Sequence, residues 1–235
     1  MLADVLTARP GPAPIPTSLM AKLLNIFVSP GEVFDEIIEA PPRVANWILP
    51  TCLVCLTAVP LIEATVSQEE IALVAAKLVN AGTLTSAQAQ TLSVRWPIDS
   101  LLLVCFGTIG GTFCSALTLW SVGRFFLKCA FSFLKTLEVV GLTAMISVLG
   151  NIVTALLIVA SGDNAARPAL SLIAGKMDHG SAIHSVLDTV NLFHIWTIIV
   201  LAIGLSKLSS LTFKESVFWV FVWWVLVRFG LIILG

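Results

Sequence analysis

The sequence predicts an all-α polytopic integral membrane protein, with five transmembrane helices and short amphipathic surface helices. Three observations carry this. Hydrophobic residues make up 57% of the 235 positions and charged residues only 11%, where a soluble domain carries roughly 25% charged residues; mean hydropathy is +0.99. Five apolar segments, 46–65, 98–122, 137–161, 190–207 and 216–234, each approach the ~20 residues that a spanning helix needs. Between them lie short stretches carrying helix-capping and helix-stop signals.

The N-terminal residues MLADVLTARPGPAPIP lack the apolar core of a secretory signal and are broken by prolines. Residues 1–17 are therefore expected to be a disordered leader and 18–235 one membrane domain. SLMAKLLNIFV then places Leu19, Met20, Leu23, Leu24 and Phe27 largely on one face, the pattern of a helix resting on the membrane surface or docked against the spans. In FVSPGEVFDEIIEAPPRVANWILP, Ser29 is placed to cap a helix, Pro30 fits its first turn and Glu32 completes a capping box. Val33, Phe34, Ile37 and Ile38 form its apolar face. Glu32, Asp35, Glu36 and Glu39 form an acidic face expected to look to solvent or a basic partner, because anionic lipids repel it. Pro41 and Pro42 end the helix, since neither can donate a hydrogen bond.

Between spans one and two, Ser67 with Glu70 forms a second capping box and Asn80-Ala81-Gly82 a stop signal. Thr85 with Gln88 opens a further short helix before Pro97, giving a helical hairpin expected to lie over one membrane face. Another short helix is expected after Pro168, ending near Gly180. Arg9, Lys22, Arg43, Arg124, Lys128, Lys135, Lys207 and Lys214 collect on one side; Lys77, Arg95, Arg167 and Lys176 fall on the other. This asymmetry predicts the N-terminus inside and, with five spans, the C-terminus outside. Arg124, Lys128 and Lys135 are expected to meet lipid headgroups, and Trp47, Trp96 and Trp120 to act as interfacial anchors.

The stretch SPGEVFDEIIEAPPRVANWILP resembles the Yip family (Ypt-interacting-protein domain) of five-pass membrane proteins. The fourth span does so again through Phe193, Trp196, Leu201 and Gly204-Leu205, as does FSFLKTLEVVGLTAMISVLGNIV. The resemblance runs from about Phe27 to the end of the chain and is closest to the bacterial branch. It implies a multi-pass protein of a bacterial cytoplasmic (inner) membrane. Two features depart from the family's pattern. Eukaryotic members carry an Asp-Leu-Tyr-Gly-Pro-like motif, and this chain has no tyrosine. Relatives often have a proline in span three, and none occurs from Ile98 to Ala166. The small-GTPase role of eukaryotic relatives is accordingly carried to no residue here.

Two intramembrane patterns are candidates for function. Gly107, Gly111 and Ser115 recur at spacing four in span two, a small-residue stripe that lets helices approach closely. It is expected to pack another span of the same molecule, or a second copy in a homo-oligomer, so that Gly111→Ile destabilises the fold in either case. Glu63, Asp99, Asn151, Asp188, His194 and Arg228 fall at matching depth in the outer half of the spans. They read either as a structural staple around Arg228 or as a polar pocket open to the outside, because a charge at the centre of a span costs ~2.5–3.5 kcal/mol on insertion scales.

Catalytic and metal motifs are missing. Cys52 and Cys55 form C-x-x-C within an apolar span and read as core packing. Asp178, His179 and His184 have no standard metal spacing, and no P-loop, His-Glu-x-x-His, G-x-S-x-G or dinucleotide fingerprint occurs. Net charge is −1 with no long basic tract, which argues against nucleic acid. The expectation is a non-enzymatic scaffold or adaptor without cofactor or metal, in contact with the bilayer and with a cytoplasmic protein through the acidic helix. The rival is a small-solute or ion transporter using the polar cluster, against which stands the lack of paired Gly/Pro-interrupted spans and repeat symmetry.

Overall fold

A computed structural model describes the backbone of residues 17–65, 68–164, 166–169 and 191–234, and their side chains except at 63–65, 68–70, 92–94, 97 and 226–234. The architecture is helical, and among the described residues the only β pairing is a single bridge between Ala169 and Asn191. In order the helices are α1 (Leu19–Asn25), α2 (Pro30–Glu39), α3 (Ala45–Thr65), α4 (Gln68–Asn80), α5 (Ser86–Ser121), α6 (Phe133–Thr143), α7 (Met145–Ser161), α8 (Leu192–Ser209) and α9 (Phe213–Leu234). A π-helical turn, Val122–Phe126, closes α5.

Four stretches among the described residues are long and apolar enough to cross a membrane: Ala45–Ile62, Ile98–Phe126, Phe133–Ser161 and Leu192–Ser209. The expected fifth span corresponds to α9, a 22-residue helix whose distal part lies beyond the described side chains. Four, not five, are therefore counted here. The third span is two helices joined at Ala144, whose N–H is shared between the Val140 and Gly141 carbonyls at 3.1 and 3.0 Å.

Capping signals translate unevenly. Ser18 Oγ accepts from Ala21 N–H at 3.2 Å to start α1, and Thr85 with Gln88 forms a complete capping box at the start of α5. Ser29 makes no capping bond with its side chain. Its own N–H is bonded to the Asn25 carbonyl at 2.7 Å, holding Ser29 at ψ 57°, away from the extended geometry from which an N-cap hydroxyl reaches the next turn. Gly82, at φ +71°, takes the left-handed turn after α4 as the stop signal requires. The expected short helix between Thr85 and Pro97 does not end at the proline. α5 runs unbroken for 36 residues, about 54 Å, because one missing N–H costs a membrane-bound helix one bond without supplying a second breaker. The α4–α5 hairpin is thus an extension of span two. Ser67 and the expected helix after Pro168 lie outside the described residues.

The core is a single apolar cluster in which Phe34 and Ile37 of α2 join Leu137, Leu142 and Ile146 of span three and Val200, Leu201 and Leu205 of α8. Close helix approach occurs at isolated glycines. A Cβ on Gly141 would stand 2.4 Å from Trp47 Cα, and one on Gly204 would stand 2.3 Å from Val139 Cγ1. Gly107, Gly110 and Gly111 have nothing within 4 Å of an added Cβ. Among the described residues, then, no helix packs closely against Gly107 or Gly111. Gly107, Gly111 and Ser115 instead border an open groove of about 300 Å³. The physical reason is that Phe113 and Leu119 of α5 set the helix spacing: Phe113 meets Trp47 edge-on at 5.2 Å and Leu119 is fully buried.

Two of the tryptophans read as interfacial anchors make contacts within the protein. Trp47 packs as just described, and Trp120 Nε1 donates to the Phe131 carbonyl at 3.1 Å.

Candidate functional site

The surface formed by α1 and α2 is built on a buried polar junction at the base of spans one and three. Glu138 is 1% exposed, yet all its bonding capacity at Oε1 is met: Arg43 N–H donates at 2.8 Å and Asn46 Nδ2 at 2.7 Å. Its Oε2 lies 2.8 Å from Lys135 Nζ, and that ammonium also donates to the carbonyls of Ile37 and Ala40. Lys135, expected at the headgroups, is instead 8% exposed. Its charge serves the last carbonyls of α2, which the prolines at 41 and 42 leave without helical partners. One ion pair thereby fastens the C-terminus of α2, the elbow after it and the first turn of α3 to span three.

The acidic face of α2 is divided by the same logic. Glu36 is clamped by Lys22 Nζ at 3.0 Å and by the Thr17 N–H and hydroxyl. Lys22 itself is 2% exposed, so α1 and α2 are stapled through this pair. Burial pushes the Glu36 carboxyl up, but the Thr17 hydroxyl and the Lys22 ammonium outweigh it and hold it below the ordinary carboxylate value. Asp35 accepts from Lys207 Nζ at 2.6 Å, tying α2 to the end of α8. Glu32 and Glu39 remain exposed. Of the four acidic residues expected to face a partner, two hold the helix in place and two are presented by it.

The six residues expected at matching depth are only partly in view, since the side chains of Glu63 and Arg228 and all of Asp188 lie outside the described residues. The other three have separate surroundings. Asp99 faces Arg95 one turn earlier on its own helix at 3.7 Å. His194 stands beside Trp224 with ring centroids 6.5 Å apart. Asn151 donates to Thr57 Oγ1 at 3.0 Å, linking spans three and one. Asn151 also opens onto a cavity of about 290 Å³ shared with Thr154, Arg167 and Asn191. Sequence reasoning counted Arg167 only as a topology charge and did not single out Asn191. Their convergence depends on the bridge between Ala169 and Asn191, a contact with no local signature. Among the described residues no group of three His, Cys, Asp or Glu side chains is placed to hold a metal ion.

Comparison with known families finds a match to the Yip1 domain over residues 24–234. No curated protein and no solved structure matches.

Proposed function

From the premise that the chain belongs to the Yip1 domain family, and is a multi-pass membrane protein in contact with the lipid bilayer, we propose that it works as a non-enzymatic scaffold or adaptor in a bacterial inner membrane. Its N-terminal helices lie on the cytoplasmic face, the side that collects eight of its basic residues, and with α9 as a fifth span its C-terminus lies outside.

The observation that carries this reading is the fixed presentation of Glu32 and Glu39. α2 is held at three points: Lys22 on Glu36, Lys207 on Asp35, and Lys135 on the carbonyls of Ile37 and Ala40. A helix so pinned keeps its two free carboxylates at constant spacing, which lowers the ordering cost of binding a basic partner. Charges on a mobile segment would not have that advantage.

The test is crosslinking in native membranes followed by mild detergent purification, comparing wild type with Glu32→Lys/Glu39→Lys. A defined protein partner captured by wild type and lost in the variant, with the thermal unfolding of the two unchanged, is the expected result. An identical set of partners for both would remove α2 as the docking surface.

A further inference from the structure

The cavity beside Asn151 lies at the other end of the bundle from α2. It is about 20 Å of helical rise from Glu138. Its wall on span one is apolar, formed by Ala58, Leu61 and Ile62. Among the described residues its polar wall is formed by Arg167, Asn191, Asn151 and Thr154. Arg167 Nη1 donates to the carbonyls of Asn164 and Ala166 at 3.0 and 2.9 Å, which fixes the guanidinium while Nε and Nη2 make no bond among the described residues. Asn191 caps α8, its Oδ1 accepting from Phe193 N–H at 2.8 Å, so its NH2 group remains to donate. Asn151 gives one N–H to Thr57 and keeps Oδ1 as an acceptor. Thr154 donates to the Gly150 carbonyl and keeps its lone pairs. Among the described residues no carboxylate pairs with Arg167.

The uncommitted groups are thus a positive charge with N–H donors, a second N–H donor, and two neutral acceptors, facing an apolar wall. A complementary ligand has an anionic oxygen, its own O–H or N–H donor close by, and an apolar body. A fatty acid has the first and third of these without the second, and inorganic phosphate has no apolar body. We propose that this cavity holds the headgroup of a phosphodiester lipid that carries hydroxyl or ammonium donors. Arg167 and the Asn191 amide take the phosphate, while Asn151 Oδ1 and Thr154 accept from the headgroup.

The full chain would be placed in phosphatidylcholine nanodiscs doped with phosphatidylglycerol or phosphatidylethanolamine, and retained lipid read by native mass spectrometry after release. Phosphatidylcholine shares the phosphate and lacks the donors. Wild type is expected to retain the two donor-bearing lipids over phosphatidylcholine. Arg167→Gln is expected to lose about tenfold in retention, the scale of one charge-assisted hydrogen bond, and Arg167→Lys to recover part of it. Asn151→Leu is expected to weaken the preference over phosphatidylcholine while leaving phosphate affinity. A melting temperature unchanged in Arg167→Gln separates ligand loss from unfolding. Equal retention of all three lipids by wild type, or retention unaffected by Arg167→Gln, would overturn the site. Displacement of the lipid by inorganic phosphate would overturn a lipid as its occupant.

Discussion

The Asn46 side-chain amide meets the Glu138 carboxylate at 2.7 Å, across 92 residues of sequence. This contact, with Lys135 on the other carboxylate oxygen, ties span one to span three where both leave the aqueous face. A buried ion pair gains little over an apolar substitute, but breaking one strands a charge. Glu138→Ala is therefore expected to destabilise the protein by about 3–5 kcal/mol, leaving the Lys135 ammonium to the carbonyls alone. The double change Lys135→Met/Glu138→Leu should cost less than the sum of the single changes. Equilibrium unfolding of Lys135→Met, Glu138→Leu and the double variant in detergent checks this, and strict additivity would refute the coupling.

Glu36 gives the α1–α2 staple a pH dependence with a definite sign. Its folded-state carboxyl is held below the ordinary value of 4.5. Its contribution is thus fully present above that value and is lost as pH falls through the lower folded value. Hydrogen exchange in α1 is expected to accelerate on acidification below about pH 4.5. In Glu36→Gln, the amides of α1 should already exchange faster at neutral pH, with a flatter acid response. The edge-on contact of Phe27 with Trp196, 5.8 Å between centroids, offers a fluorescence readout of the same docking.

The Asp35–Lys207 pair is shorter, at 2.6 Å, yet its side chains are 52% and 39% exposed. An exposed pair contributes roughly 0–1 kcal/mol and is screened by salt. Lys207→Ala should therefore change stability by less than about 1 kcal/mol, with a difference that shrinks as salt is raised. A large, salt-independent loss would mean that the end of α8 depends on this contact in a way its exposure does not suggest.

The fold class, the surface helices and most span limits were legible because they rest on composition and on signals within a few residues of each other. Thr85 with Gln88 and Gly82 are such signals, and both act as read. The charged residues were harder. Lys135 reads locally as one more basic residue beside a span, and nothing nearby announces that its partners are carbonyls 95 and 98 residues away. Glu138 carries no motif, and only the cost of leaving a carboxylate in an apolar helix marks it. Asp35 and Glu36 share a helix face with Glu32 and Glu39, so periodicity groups the four. The lysines that separate them come from α1 and α8. Asn151 stood out as a polar residue inside a span, whereas Arg167 joins it only through a chain reversal that the sequence does not encode locally.

Glycine spacing is the clearest case where a local pattern and the assembled bundle part. The stripe at Gly107, Gly111 and Ser115 has the regular spacing associated with close helix packing, but an added Cβ at Gly107 or Gly111 meets nothing within 4 Å. Gly141 and Gly204, which belong to no stripe, are positions where the spans touch. Gly141→Ala would place its methyl 2.4 Å from the Trp47 backbone, and Gly204→Ala would press on Val139. Overpacking of this kind typically costs 1–3 kcal/mol. The Gly141 change should be the worse, since the obstructing Trp47 Cα is backbone and cannot rotate away. Gly111→Ile should leave the monomer's melting temperature close to that of wild type, the reverse of what the spacing alone predicts. If Gly111→Ile keeps the monomer stable but removes a self-crosslink seen in native membranes, the stripe serves a second copy. If it melts as early as Gly141→Ala, the groove beside span two is closed in the membrane and the spans there pack more tightly than the structure shows.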